Sequence, residues 1–208
     1  MRSWLADRIR DVLYAVLDVL ASVVIWPLFR LSVRGRKNLR GGGILVARHR
    51  SYWDVPILCV AAGPFRRIAF LARRGLLRNP LLAPFVWFFA TIIEREAFSA
   101  RDFRKAVRTA ERNKIIGIFP EGTTRPGASP KPGAIRFAEF LNRPLIPANI
   151  VPHGHYPPTN PLGFPKVEVH FGRPFSVEEL AKDLPEELPR KERYQLLAAR
   201  LMERIDAA

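Results

Sequence analysis

Cysteine is nearly absent from this 208-residue chain: Cys59 stands alone, inside an apolar run. One thiol excludes a disulfide framework, so a reducing compartment is the default and Cys59 reads as a small core residue. Acidic residues are scarce too, 19 Asp and Glu against 34 Lys and Arg, which leaves a formal charge of +15. That excess excludes a neutral surface and implies an anionic partner: nucleic acid, an anionic membrane face or a phosphorylated small molecule. An uninterrupted apolar run of about 20 residues, as a membrane span requires, is also missing, because Asp18 and Pro27 break the one candidate. The N-terminal apolar run ends in Arg30 and Arg34 with no small-residue cleavage site after it, so a removable leader is not expected. There are no internal repeats, no low-complexity tail and no RNA-binding signature, which argues against a nucleic-acid partner.

What is present is apolar enough to fold: 48% hydrophobic and 11% aromatic residues. A chain of this length is most simply one α/β domain with its own core. Residues 1–33 are expected to be an N-terminal membrane anchor and 34–208 the domain itself. If 5–23 is helical, Leu5, Ile9, Val12, Val16, Leu20 and Val23 share one face, and Asp7, Asp11, Tyr14, Asp18 and Ser22 line the other. With Arg8 and Arg10 beside the apolar face, this is the pattern of a helix lying in a membrane interface. An ordinary amphipathic helix packed on the domain has the same pattern. The basic, glycine-rich stretch 34–43 reads as a linker. Beyond it, apolar strand-like runs at 43–47, 67–71, 91–94, 114–119, 145–151 and 166–171 alternate with helical patterns, which predicts a largely parallel sheet flanked by helices. Ser99 is placed to cap a helix carrying Phe103, Ala106, Val107 and Ala110 on one face, and Ser176 to cap a short one. A final amphipathic helix aligns Tyr194, Leu197, Ala198, Leu201 and Ile205.

Chemistry-bearing residues cluster at the ends of the strand-like runs. His49 and Asp54 follow the run 43–47; their spacing puts them on opposite sides of one regular helix. They converge if His49 lies in the loop after the strand and Asp54 begins the next helix. The carboxylate would then hold one imidazole nitrogen and leave the other to take a proton from a hydroxyl. A loop histidine beside a helix cap fits the bare pair as well. The run 114–119 delivers Glu121, Gly122, Thr123, Thr124 and Arg125 into a loop at its carboxyl end, where parallel sheets bind ligands. Gly122 permits close backbone approach, and the hydroxyls and guanidinium are donors for an oxyanion. Arg73 and Arg95 end two further runs and would build a phosphate pocket if they converge. His153, His155 and His170 read as loop histidines without a metal-ligand pattern.

In order, His49-Arg50-Ser51-Tyr52-Trp53-Asp54, Ile93-Glu94-Arg95, Phe119-Pro120-Glu121-Gly122-Thr123 and Leu145-Ile146-Pro147-Ala148 resemble the four blocks of the glycerolipid acyltransferases. The 1-acylglycerol-3-phosphate (lysophosphatidic acid) acyltransferases are the nearest subgroup, and the resemblance covers about residues 43 to 151. It implies an enzyme moving a fatty acyl group from a thioester, acyl-CoA or acyl-carrier protein, to a lysolipid hydroxyl, giving phosphatidic acid without a cofactor or metal. By that resemblance His49 is the general base of an HxxxxD motif and Asp54 orients it. Arg95 meets the acceptor phosphate, with Arg73 where a phosphate-binding lysine is common. Glu121 and Gly122 shape the acceptor site, and Pro147 is tied to donor binding.

Three departures from the pattern stand out: Arg48 replaces an asparagine before the histidine, Thr124 stands where arginine is frequent, and Gly75 where glutamate is common. They leave a different lysolipid acceptor as the alternative within the enzyme class. A basic membrane- or RNA-binding module without activity is the alternative outside it. The aromatic-rich stretch 76–93 would line an acyl groove or form a core helix. Beside it, Arg66, Arg67, Arg73, Arg74 and Arg78 would hold the protein on an anionic leaflet at about 1 kcal/mol per charge near the surface. A location on the cytoplasmic face of the cell membrane, peripheral or monotopic, follows as the expectation.

Overall fold

The computed structural model describes residues 2–73, 90–93, 99–159, 163–185 and 187–208, with the backbone alone for 2–7, 72–73, 90 and 92–93. Seven strands are formed among them: β1 Ser32–Arg34, β2 Gly43–Ala47, β3 Ile68–Arg73, β4 Ala90–Ile93, β5 Ile115–Ile118, β6 Leu145–His153 and β7 Lys166–Phe171. The helices are α1 Arg2–Phe29, α2 Asp54–Ala62, α3 Ala100–Arg112, α4 Gly133–Leu141, α5 Val177–Ala181 and α6 Arg190–Asp206. The strands make one sheet in the order β1-β7-β6-β2-β5-β3-β4. All neighbours are parallel except β6 and β7. The largely parallel α/β architecture expected from the alternating pattern is therefore observed, with one strand more than the pattern predicts. The extra strand is β1, which pairs with β7. The stretch expected as a linker is instead the end of β1 followed by a 3-10 turn at Arg36–Leu39. Leu39 is buried under it, and Asn38 donates to the Phe171 carbonyl.

Alternation along β2 explains the layers. Leu45 and Ala47 join the core beneath α1 and α2, while Ile44 and Val46 join the core beneath α3 to α6. Both faces of the strand are covered, which is why its sequence reads as a continuous apolar run. Ser99 caps α3 through a reciprocal pair with Asp102, and Ser176 caps α5 by accepting from the Glu179 N–H. The α6 stripe is buried as its periodicity predicts, with Leu197, Leu201 and Ile205 fully enclosed.

α1 is longer than the 5–23 read from periodicity and continues through Pro27. Its orientation is the opposite of an ordinary amphipathic helix. Val12, Val16, Leu20 and Val23 are 62, 52, 60 and 71% exposed, whereas Tyr14 and Asp18 on the polar face are buried against the domain. Ile25 and Phe29 complete the inward contacts in the core shared with α2. Asp11 forms an ion pair with Arg67, and Ser22 donates to the Asp18 carbonyl. The Asp18 carboxylate has no hydrogen-bond partner among the described residues; burial pushes its carboxyl up to about 6, against a smaller opposing pull from Arg36. Cys59, on α2, is buried as expected. By length and composition Arg8–Phe29 could also cross a membrane.

Candidate active site

β2 and β5 lie side by side with Val46 opposite Ile118, and β6 flanks β2 on the other side with Pro147 opposite Val46. The residues that leave the carboxyl ends of β2 and β5, Arg48-His49 and Phe119-Pro120-Glu121, therefore emerge at one edge of the sheet. Ligands bind at this edge in open parallel sheets because the chain turns outward there.

His49 sits in the loop after β2, and Asp54 is the first residue of α2, as the convergent reading of the pair requires. Asp54 Oδ2 lies 3.1 Å from His49 Nδ1. The same oxygen accepts from the Arg50 N–H at 2.6 Å and the Ser51 N–H at 2.8 Å. Oδ1 accepts from the Tyr156 hydroxyl at 2.6 Å. With a carboxylate oxygen as its partner, Nδ1 carries the proton, and Nε2 retains the lone pair a base needs. The carboxylate is 1% exposed, so these four donors replace its water.

The imidazole plane is fixed separately. Phe119 stacks on it with ring centroids 4.1 Å apart and planes 15° from parallel. Phe70 stacks in turn on Phe119 at 5.4 Å and 12°. Gly117 makes this possible: a Cβ there would lie 2.4 Å from the Phe70 ring. This is the close approach that a glycine inside a strand often marks.

Glu121 fixes the backbone of the histidine. Its Oε2 accepts from the His49 N–H at 2.8 Å, and its Oε1 from Arg48 at 3.0 Å. Arg48 also clasps both oxygens of Asp206, at the end of α6, with two 2.6 Å bonds. The hydrogen bond with Asp206 raises the already high Arg48 further, and the same bond holds the Asp206 carboxyl below its usual range. The arginine that replaces asparagine before the histidine thus ties the strand end to the last helix. Gly122 follows at φ 63°, the left-handed region where a side chain is strained. Thr123 Oγ1 accepts from the Arg125 N–H, and the Arg125 side chain is exposed beside the half-buried Thr124.

The structure brings together His49, Asp54, Glu121 and Gly122, with Thr123, Thr124 and Arg125 in the adjoining loop. Pro147 is buried within β6, its carbonyl accepting from the Gly172 N–H. Arg95 and most of the aromatic stretch 76–93 lie outside the described residues, as does the side chain of Arg73. Of the three histidines expected in loops, only His155 lies in one, exposed; His153 ends β6 and His170 lies within β7, and they share Glu168 at 3.2 and 3.4 Å because the two strands pair. Sequence reading missed Tyr156 and Asp206, which reach the site from 102 and 158 positions away and carry no local pattern. Phe119 was legible only as the first residue of its block; its stacking on His49 was not.

Residues 30–151 match the family model described as Acyltransferase. A curated protein of Streptococcus pneumoniae, 1-acyl-sn-glycerol-3-phosphate acyltransferase, is 26% identical over 144 residues, 67% of this chain. The chain spans about half of that relative's length, 52%. The crystal structure of the 1-acyl-sn-glycerophosphate (LPA) acyltransferase PlsC from Thermotoga maritima superposes with a TM-score of 0.57 at 23% identity. The superposition covers 83% of this chain and 71% of that one. That likeness carries the fold, including the mostly parallel sheet and its flanking helices. With the family model matched over more than half of its length, including the His49 loop and the Glu121 block, this chain belongs to the acyltransferase family.

Proposed function

We propose that this protein is a membrane-associated acyltransferase that moves a fatty acyl group from a thioester to the free hydroxyl of 1-acyl-glycerol-3-phosphate, giving phosphatidic acid. The observation that carries the reading is the pairing of His49 Nδ1 with a buried Asp54 at the carboxyl edge of the sheet. Nε2 takes the proton from the acceptor hydroxyl as its oxygen attacks the thioester carbonyl. The tetrahedral intermediate then collapses, the C–S bond breaks, and the proton passes to the departing thiolate. A base of this kind contributes about 10²–10⁴ in rate. Glu121 serves by holding the His49 backbone, and the Gly122 to Arg125 loop, with Arg73 and Arg95, supplies the acceptor phosphate site. The donor is acyl-CoA or acyl-carrier protein, and Pro147 affects it through the position of β6. The name of the S. pneumoniae relative and the basic character of the chain support this acceptor. Within residues 1–33, α1 forms the anchor: its outward apolar face favours insertion at the interface, on the cytoplasmic leaflet, whose anionic lipids attract the basic surface.

The test is acyl transfer by purified protein, with acyl-CoA and acyl-carrier protein as donors and a panel of lysolipids read by mass spectrometry. Phosphatidic acid formation that His49→Ala reduces by at least about a hundredfold is expected. Equal turnover by folded His49→Ala refutes the base. Preference for another lysolipid, the reading that Arg48 and Thr124 favour, corrects the acceptor alone.

A further inference from the structure

Asp54 uses its two oxygens differently. Oδ2 faces the catalytic loop and takes the His49 ring and two backbone N–H groups. Oδ1 faces away from it and takes the Tyr156 hydroxyl at 2.6 Å. Tyr156 belongs to the segment between β6 and β7, outside the four blocks that mark the site in the sequence. Its ring packs against the core beneath α1 and α2, so apolar contacts outside the loop it serves anchor the phenol. Burial first, then the charge of Asp54, pushes the phenol up, which keeps its proton in place as a donor. A carboxylate is an acceptor only, so the direction of the bond is fixed.

We propose that Tyr156 is a positioning residue for the proton-transfer pair: its O–H holds the second oxygen of Asp54, so that Oδ2 stays turned to His49 Nδ1 and part of its charge is drawn away from the imidazole. The inference rests on the reading of His49 as the base. Among the described residues, the titratable or charged groups around Asp54 are His49 and Arg50 from its own loop and Tyr156 from the segment after β6. Glu121 approaches from the β5 side and accepts from the His49 N–H, and Arg48, at the end of β2, donates to Glu121. The Ser51 hydroxyl lies on the same side as Tyr156 and also interacts with it.

Without the phenol, Oδ1 becomes a buried acceptor with no partner, a costly state that loosens the hold on the carboxylate. More negative charge then faces the imidazole, which favours its protonated form and removes the base at a given pH. Both effects act on the chemical step and neither touches the lipid sites.

Tyr156→Phe, assayed in the full-length protein with the donor and acceptor of the proposed reaction, tests this. kcat is expected to fall between about 10- and 100-fold, with KM for both substrates within about twofold, because the lost bond is remote from bound substrate. The acid limb of the kcat/KM profile should move to higher pH. A parental kcat and profile would overturn the role. So would a fall in kcat accompanied by raised KM and an unmoved profile, which is the mark of general disorder. If Tyr156→Phe does not fold, 3-fluorotyrosine at 156 decides. This stronger donor of nearly the same size should move the acid limb to lower pH, and an unmoved limb overturns the proposal. His49→Ala separates the two levels. Retained turnover there removes the base assignment itself; lost turnover with an unchanged Tyr156→Phe removes only the role of Tyr156.

Discussion

Gly117→Ala, two residues from the aromatic stack and remote from any substrate contact, should damage both stability and catalysis. An ideal Cβ at 117 would stand 2.4 and 2.5 Å from two atoms of the Phe70 ring and 2.9 Å from the Ile68 side chain. Carbon atoms in ordinary contact lie about 3.5–4.0 Å apart, so the ring must retreat by about 1 Å or more. Phe70 is only 4% exposed and has little free space to enter. Overpacking of this kind costs about 1–3 kcal/mol, which for a chain of this size lowers the melting temperature by about 2–12 °C. The displacement travels on, because Phe70 lies against Phe119 and Phe119 against the His49 ring. A shift of about 1 Å in a reacting group is enough to lower turnover by about a hundredfold. Thermal melting and acyl-transfer kinetics should therefore change together. Phe70→Leu, which removes the clashing ring edge, should restore part of the lost stability when combined with Gly117→Ala while destabilising the parent. A Gly117→Ala protein that melts and turns over like the parent would refute the argument that this glycine exists to admit Phe70.

Asp18→Asn removes a buried carboxyl whose folded state favours protonation up to about pH 6. The parent should lose stability as pH rises from about 4 through about 6, since the unfolded chain ionises first. The variant should lack that slope and be more stable at pH 8 by on the order of 1–3 kcal/mol, read by melting in detergent at several pH values. Asp206→Asn should act in the opposite sense. The Arg48 bond holds this carboxyl low, so its contribution is complete above about pH 4 and lost as pH falls through the depressed value. Because Asp206 is half exposed, the loss at pH 7 should be only about 0.2–1 kcal/mol, vanishing in acid. Val16→Glu with Leu20→Glu should cut sedimentation with anionic vesicles by at least about tenfold, since both positions lie on the outward face of α1. Unchanged vesicle binding would exclude that face as the anchor.

Much of the fold was legible because local rules produce it. The runs that became β2, β5 and β6 are apolar on both faces, and a strand covered on both sides needs that composition. Ser99 and Ser176 announced their helices through caps that act within three residues. β1 was not legible, since three residues within a basic stretch carry no periodicity and become a strand only by pairing with β7. The helical pattern of α1 was visible, but which face meets the domain was not. Tyr14 and Asp18 turn inward because α2 and the 3-10 turn receive them, a fact about packing that sequence periodicity does not encode.

The candidate site divides in the same way. His49 and Asp54 alone fitted a loop histidine and a helix cap equally well, and it was the order of the four blocks, with their resemblance to the acyltransferases, that marked them as a pair. By itself, the sequence determined which residue types stand at the strand ends, the order of the four blocks and the surplus of positive charge. Only the tertiary structure decided what holds the pair. Glu121 grips the His49 backbone, Phe119 and Phe70 fix the ring over the space left at Gly117, and Arg48 reaches Asp206 on the last helix. Tyr156 closes the far side of Asp54. The physical reason is range. Caps, turns and alternation act over a few residues and are written in the local sequence. Hydrogen bonds between groups 72 to 158 positions apart exist only once the sheet has brought their strands to one edge.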